Sequence, residues 1–340
     1  MRISLDFHRA VGAAVTAALV AAAQPVWAQT YPSRPVQIIV AYPESGTGEI
    51  IAQPLAEKLT ATLGQPVTVE YRPGASGAVG TQSVARAAPD GHTLLFGQTG
   101  EMVINKYLVR NLGYDPDRDL RPVALVAEIP LALVVRSAAP YASVDDLVKA
   151  ARSSSRGLTF VSGGPGTTGQ FAGELLRLRT LARLTHVPTD GSGPALKEVI
   201  DGRADFYFAP MPVALPHVKT GELKILAVSS AKRSLAAPNA PIMAEAGFRD
   251  FRVQAWAGIF APRGTPRDVV ERLNREINQI LAQPDVRARL LGEGADIAPM
   301  SPEQFASFVR SESDRYGDVI AEDFCSRFGY GGCLGFGALQ

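Results

Sequence analysis

The sequence predicts an α/β protein of two lobes, a hinged clamp in which each lobe is a mainly parallel sheet flanked by helices and β-strand segments form the hinge. Three observations predict it. Short apolar runs alternate with helix-period patterns through most of the chain, as in βαβ units. At 340 residues the chain is long enough for two domains. Two β-rich stretches, residues 123–135 and 251–260, lie where the chain would cross between lobes. If both cross, the first lobe is discontinuous, 29–129 and 251–322, around a second lobe at 130–250.

The elements follow in order. Val36-Gln-Ile-Ile-Val40 is an apolar run of strand length. Residues 48–63 place Ile51, Leu55, Leu59 and Leu63 on one helical stripe, stopped by Gly64. Pro54 inside that stripe is expected to kink or delay the helix. Strands are expected at 67–71, 94–97, 158–161, 184–187, 205–208 and 223–228, and helices at 168–182 and 194–200. Thr265-Pro266 predicts an N-cap followed by proline at the first helical position, ahead of Val269, Leu273, Ile277 and Ile280. Ser301-Pro-Glu-Gln304 predicts a capping box.

Composition excludes several classes. Basic and acidic residues number 34 and 33, a formal charge of +1, so there is no electrostatic footprint for nucleic acid. Four His and two Cys leave little material for a metal centre, and no metal is expected. At the amino terminus Arg2 and Arg9 precede an uncharged Ala/Val/Leu-rich run, residues 10–23, and then Pro25-Val-Trp-Ala28. That pattern predicts a secretory signal peptide over residues 1–28, cut after Ala28, and a periplasmic product. A spanning helix needs about 20 apolar residues, more than this run supplies. In an oxidising compartment Cys325 and Cys333 either close a small disulfide loop or remain two thiols in an atypical tail, residues 323–340, expected to be poorly ordered.

Catalytic signatures are few. No Ser lies in Gly-x-Ser-x-Gly, no His-Glu-x-x-His occurs, and His92, His186 and His217 lack ligand spacing. Gly164-Pro-Gly166-Thr-Thr-Gly169 matches a dinucleotide fingerprint between a strand and a helix, with Asp190 farther on. It supports an alternative reading, an exported α/β oxidoreductase. The loop has a second reading that needs no cofactor. Backbone N–H groups and hydroxyls at a helix start, with the helix dipole behind them, bind a carboxylate as readily as a phosphate. Ser162, Gly163, Gly164, Thr167 and Thr168 form this anion cradle, unless the segment is an ordinary Gly-rich turn. Tyr42-Pro-Glu-Ser-Gly-Thr-Gly-Glu49 is a matching turn in the first lobe, and Gln98-Thr99-Gly100-Glu101 and Thr189-Asp-Gly-Ser-Gly193 end further strands. In open α/β sheets ligands bind beyond the carboxyl ends of strands.

Tyr31-Pro-Ser-Arg-Pro35, Leu63-Gly-Gln-Pro-Val67, Arg72-Pro-Gly-Ala-Ser-Gly77 and Ala88-Pro-Asp-Gly-His-Thr-Leu94 occur in that order. They are followed by Ala172-Gly-Glu174, His186-Val-Pro188, Gly193-Pro-Ala195, Ala227-Val-Ser-Ser-Ala-Lys-Arg233, Ala261-Pro-Arg-Gly-Thr-Pro266 and Pro284-Asp-Val-Arg287. Over residues 31–320 the chain resembles the tripartite tricarboxylate transporter substrate-binding proteins, the Bug type. The resemblance implies a periplasmic two-lobe receptor, not an enzyme and without cofactor. Such a receptor acts as a monomer that closes on a small organic solute, commonly a carboxylate, and passes it to the membrane subunits of a secondary transporter. A receptor feeding a signalling partner would look the same. The family's ligand loops map onto Tyr42, Ser45, Gly46 and Thr47; Gln98 and Thr99; Ser162, Gly163, Gly164, Thr167 and Thr168; and Thr189 and Asp190.

The chain departs from the family pattern at several points. Pro43-Glu-Ser-Gly46 replaces Pro-Gly-Gly, Glu49 replaces an Asp, Thr189-Asp-Gly191 replaces Tyr-Lys-Gly, and Glu101 occupies a loop that is usually neutral. Glu44, Glu101 and Asp190 either face the cleft or face solvent. If they face inward, carboxylates about 4 Å from those of a ligand repel by about 4 kcal/mol at a near-surface dielectric. The expected ligand then carries at most one carboxylate.

Overall fold

The computed structural model describes residues 31–44, 46–109 and 111–321, and the main body begins at Arg34. The expected signal peptide with its cut after Ala28, Ser45, Cys325, Cys333 and the tail at 323–340 lie outside the described residues.

The chain opens with β1 (Val36–Val40), α1 (Thr47–Leu63), β2 (Val67–Tyr71), α2 (Ala78–Ala85) and β3 (Thr93–Gln98). A π-helical turn, Gly100–Ile104, leads into the short α3 (Asn105–Leu108) and α4 (Pro116–Asp119). Then come β4 (Leu120–Arg136), α5 (Val144–Ser153), β5 (Leu158–Ser162), α6 (Thr168–Thr180), β6 (Leu184–Pro188), α7 (Ser192–Ile200), β7 (Phe206–Pro210), α8 (Met211–Lys219) and β8 (Leu223–Val228). The chain returns through β9 (Gln254–Pro262), α9 (Arg267–Ala282), α10 (Pro284–Gly292) and α11 (Pro302–Val319).

The strands form one curled sheet in the order β2-β1-β3-β9-β4-β7-β5-β6, with β8 on β4. In the first lobe β1 lies parallel to β2, Val36 opposite Val67, and parallel to β3, Gln37 opposite Thr93. β9 is antiparallel to β3 and to the first part of β4. In the second lobe β5 is parallel to β6 and β7, and β7 and β8 are antiparallel to the last part of β4. β4 therefore belongs to both lobes, and its partner changes at Pro130: Pro130 opposes Gln254 of β9, and Leu131 opposes Pro210 of β7. Proline has no N–H to give a ladder, which suits a change of partner. Ser229 pins the crossing. Its Oγ accepts from Leu131 N–H and donates to the Val253 carbonyl, while its N–H donates to the Leu131 carbonyl.

Strands covered on both faces read as continuous apolar runs. Ile38, Ile39 and Val40 are fully buried, as are Leu94, Leu95 and Phe96. The first-lobe core is completed by Trp256 and Phe260 of β9 against Phe305 of α11, with Trp256 edge-on to Phe305 at 6.0 Å. The second-lobe core gathers Val134, Val161, Val199, Tyr207 and Met211, and Ile50 of α1 packs on it from the first lobe.

α1 buries Ile51, Leu55, Leu59 and Leu63 as its spacing predicts, and Gly64 closes it in the left-handed conformation. Pro54 does not delay α1, which starts at Thr47 and runs through it. The Thr265 cap is shifted by one residue. Pro266 occupies the cap with extended ψ 147, α9 starts at Arg267, and the Thr265 N–H turns back to the Pro262 carbonyl. The capping box of α11 forms as expected: Gln304 N–H donates to Ser301 Oγ at 3.2 Å, and Ser301 N–H to Gln304 Oε1 at 2.9 Å. Among the described residues no helix is long and apolar enough to cross a membrane, and no cluster of His, Cys, Asp and Glu could hold a metal ion.

Candidate ligand-binding cleft

Parallel strands deliver their carboxyl ends to one side of a sheet, so the turns that follow them gather there. The turns after β1 and β3 come from the first lobe, and those after β5, β6 and β7 from the second. Between them lies a narrow cavity, partly open to solvent. The first lobe lines it with Tyr42, Gly46 and Thr47 before α1 and with Gln98, Thr99 and Gly100 after β3. The second lobe contributes Gly163, Thr167, Thr168 and Gly169 at the start of α6, Gly191 and Ser192 at the start of α7, and Tyr207 and Pro210 from β7.

α1, α6 and α7 thus begin at one cavity, and α8 begins behind Pro210, which also lines it. The first amides of a helix have no carbonyl within it to bond, and the dipole adds partial positive charge. α1 starts behind Gly46 and α7 behind Gly191, neither with a side-chain cap. At α6 the Thr167 hydroxyl donates to the Gly164 carbonyl at 2.7 Å and lies a long 3.5 Å from Gln170 N–H. Helix starts from both lobes thus turn partial positive charge toward the cavity.

Of the residues singled out in the sequence, the structure brings Tyr42, Gly46, Thr47, Gln98, Thr99, Gly163, Thr167 and Thr168 to this cavity. Ser162, Gly164 and Thr189 lie behind it and shape the turns. Ser162 Oγ is buried, accepts from Gly164 N–H, donates to the Gly164 carbonyl and meets His186 Nε2 at 2.7 Å. Burial lowers the His186 pKa, so the ring is neutral at pH 7. It satisfies this network by donating from Nε2 to Ser162 and accepting from Gln170 Nε2 at Nδ1. That polarity is opposite to a general base on a nucleophile. Thr189 Oγ1 sits 2.9 Å from the carbonyls of Ser162 and Gly191. Asp190 and Glu44 are exposed and do not line the cavity.

Thr99 lines the cavity, but its hydroxyl is engaged elsewhere. It accepts from Trp256 N–H at 2.8 Å and lies 3.3 Å from the Trp256 carbonyl, tying β3 to β9. Thr99→Val keeps the shape and orphans a buried N–H. It is expected to destabilise the fold by about 1–3 kcal/mol in urea unfolding, and an unchanged midpoint would contradict this assignment.

Glu101 takes neither orientation considered from the sequence. It is fully buried behind the first-lobe wall. Its Oε1 accepts from Gln98 N–H at 2.7 Å and its Oε2 from the Tyr42 hydroxyl at 2.9 Å, while its backbone carbonyl accepts from Tyr114 at 2.6 Å. Burial pushes its pKa up to about 8, against the opposing pull of those hydrogen bonds, so it is mostly protonated at pH 7. Burial and the neighbouring Glu101 raise the Tyr42 pKa as well. With two of the three acids outside and the third neutral, the repulsion expected of a second ligand carboxylate has no source here.

The fingerprint glycines have other duties. A Cβ on Gly169 would stand 2.7 Å from the Tyr207 ring and 2.9 Å from the Phe208 carbonyl, so this glycine lets α6 lie against β7. Gly166 has φ +71, and a Cβ there would stand 2.0 Å from Oδ1 of the buried Asn105 of the first lobe. Where a pyrophosphate would approach the backbone, the opposing lobe does. Ser192 belongs to the Thr189–Gly193 turn already marked in the sequence as a strand end, whereas Tyr207 and Pro210 are not among the candidate ligand residues there. The rule that ligands lie beyond strand ends points to Pro210 as well, but nothing local marks Tyr207, whose hydroxyl pKa burial pushes up to about 12 and whose oxygen is 3.3 Å from Ser192 Oγ.

The family model of the tripartite tricarboxylate transporter family receptor matches residues 51–323. The chain belongs to this family. Protein BugT of Bordetella pertussis is 35% identical over 301 residues, 88% of this chain and 92% of that protein. The UPF0065 protein in the tcbD-tcbE intergenic region of Pseudomonas sp. (strain P51) is 38% identical over 293 residues, 86% of this chain and 87% of the relative. Among solved structures, R. palustris Rpa4515 with adipate superposes with TM-score 0.83 at 32% identity, covering 86% of this chain and 97% of that one. MatC from Rhodopseudomonas palustris with bound malate gives 0.81 at 34%, covering 85% and 100%. These two structures share the fold of this chain, as does the structure of the periplasmic binding protein BugD, with TM-score 0.81 at 29% identity.

Proposed function

We propose that the protein captures a small organic carboxylate between its lobes in the periplasm and delivers it, chemically unchanged, to the membrane subunits of a tripartite tricarboxylate-type transporter. The observation that carries this reading is the convergence of helix N-termini from both lobes, α1, α6 and α7 among them, on one cavity that no ionised side chain lines among the described residues. Adipate and malate in the relatives support a dicarboxylate. The exposed Glu44 and Asp190 and the buried Glu101 are compatible with one. Tyr42, Gly46, Thr47, Gln98, Gly163, Thr167 and Thr168 hold the ligand in this reading, joined by Gly169, Ser192 and Tyr207. Residues 29–129 and 251–322 move as one lobe and 130–250 as the other, with β4 as a hinge, and the receptor works as a monomer after losing residues 1–28.

Clamp receptors bury most of their ligand, so native protein is expected to retain it. Mass spectrometry of the small molecules released on denaturation tests this. A stoichiometric di- or monocarboxylic acid is the expected result. A nicotinamide dinucleotide, or conversion of the bound molecule on incubation, would overturn it.

A further inference from the structure

The buried Glu101 has no part in the clamp as described so far, yet it sits against the cleft wall. Tyr42, which lines the cavity, gives its hydroxyl to Glu101 Oε2, and Gly100, the adjacent residue, lines the cavity too. The second lobe closes on the same spot: a Cβ on Gly100 would stand 2.8 Å from the Tyr42 hydroxyl and 3.0 Å from the Gly166 carbonyl. We propose that Glu101 is a proton-carrying positioning residue of the cleft, and that capture of an anionic ligand takes up a proton onto it wherever the ligand-free protein has lost that proton.

The inference rests on the carboxylate reading above and adds a coupling to it. An ionised Glu101 holds a full negative charge one side chain behind the wall, in surroundings of low dielectric, and opposes a ligand anion. It also fixes the Tyr42 O–H toward itself. A protonated Glu101 carries no charge and has a hydrogen to give to Tyr42, so the Tyr42 O–H is no longer committed. The proton comes from solvent and bonds to Oε2, and no other bond changes. Burial raises the Glu101 pKa to about 8, which puts the exchange near physiological pH.

The titratable side chains that meet Glu101 are Tyr42, from the β1–α1 turn, and Tyr114, from the loop before α4. The turn Ala75–Gly77 and β3 bring no charged side chain. On α3, α4 and α11, which pack on the same π-turn, Lys106, Asp117, Arg310 and Asp314 line a separate groove. Lys106 is paired there with Asp117 at 2.6 Å. Among the described residues no cation neutralises the carboxylate, so its proton is the available source of neutrality.

Glu101→Gln mimics the protonated form: its carbonyl can accept from Gln98 N–H and its amide can donate to Tyr42. Calorimetric titration with adipate and with malate between pH 6.5 and 9.5, in buffers of differing ionisation enthalpy, reads the coupling. The wild type is expected to lose about tenfold in affinity per pH unit above 8 and to take up close to one proton per ligand there. Glu101→Gln is expected to give a flat profile with no uptake, and parallel profiles in the two proteins would overturn the proposal. Infrared spectroscopy of the ligand-free protein is the second arm. A neutral carboxylic-acid band at pH 7, lost by pH 9.5 and absent from Glu101→Gln, is expected, and its absence from the wild type would overturn the proposal whatever binds. Failure of both acids to bind at any pH would count against the carboxylate reading instead, and the infrared arm then decides the Glu101 assignment alone.

Discussion

Replacing Glu101 with Gln is expected to stabilise the protein by about 3–5 kcal/mol at pH 8.5 relative to wild type, and by little at pH 4.5. The sign follows from where the proton sits. In the unfolded chain the group ionises near its ordinary value of 4.5, and in the folded protein it holds its proton up to about 8. Between those values the folded state binds the proton that the unfolded state has released. Stability therefore falls as pH rises through the window, and the full cost is reached above 8. Each pKa unit is worth about 1.4 kcal/mol, so the shift corresponds to about 5 kcal/mol before the variant's own imperfect hydrogen bonding is counted. Glutamine cannot ionise and escapes the cost. Urea unfolding of both proteins at the two pH values reads the difference, in which every other titrating group cancels. A stability gap that does not change with pH would show that the carboxyl is solvated in the folded state.

Gly166→Val is expected to weaken carboxylate binding by about 100-fold or more while both lobes stay folded. Valine at φ +71 is strained by about 1–2 kcal/mol, and its Cβ enters the space held by Asn105 Oδ1, 2.0 Å away. Asn105 is fully buried and its amide donates to the Ser76 carbonyl at 2.8 Å, so it cannot swing aside without orphaning that contact. The cheapest relief is for the lobes to part. An open clamp loses the contacts of one lobe with the ligand, and a loss of about 3 kcal/mol in binding is more than 100-fold. Calorimetry with adipate or malate measures the affinity, and small-angle scattering reads the opening. Wild-type affinity in this variant would mean that the two loops do not close on the ligand.

Much of the clamp can be read from the sequence because period and punctuation are local. The stripe of α1, the box of α11 and the apolar strands β1, β5 and β8 need only neighbouring residues to be recognised. α8 is hidden by its prolines: Pro210 at the cap, Pro212 in the first turn and Pro216 within it read as breakers. Proline is tolerated in a first turn, where the N–H has no partner to lose. α5 carries plain local signals, the Ser143 hydroxyl capping Asp146 N–H at 3.1 Å and Val144, Leu147, Val148 and Ala151 on one buried stripe, and both go unused in the sequence reading. The cleft is legible where Gly, Ser and Thr follow a strand. It is not legible where a side chain's direction depends on distant packing. Glu101 reads as a polar residue beside a glycine, but its partner Tyr42 is 59 positions away and its burial is set by the whole first lobe. Thr99 reads as a ligand hydroxyl, but its partner is Trp256, 157 positions on.

The central claim is that helix starts from opposing lobes grip an anion through backbone amides. A crystal structure of the protein with the organic acid that binds it most tightly tests this most directly. One carboxylate is expected within hydrogen-bonding distance of the amides of Thr168 and Gly169, with the ligand also touching the first lobe at Thr47 or Gly100. An acid bound elsewhere, or held in the cleft by cationic side chains with those amides turned away, would contradict it.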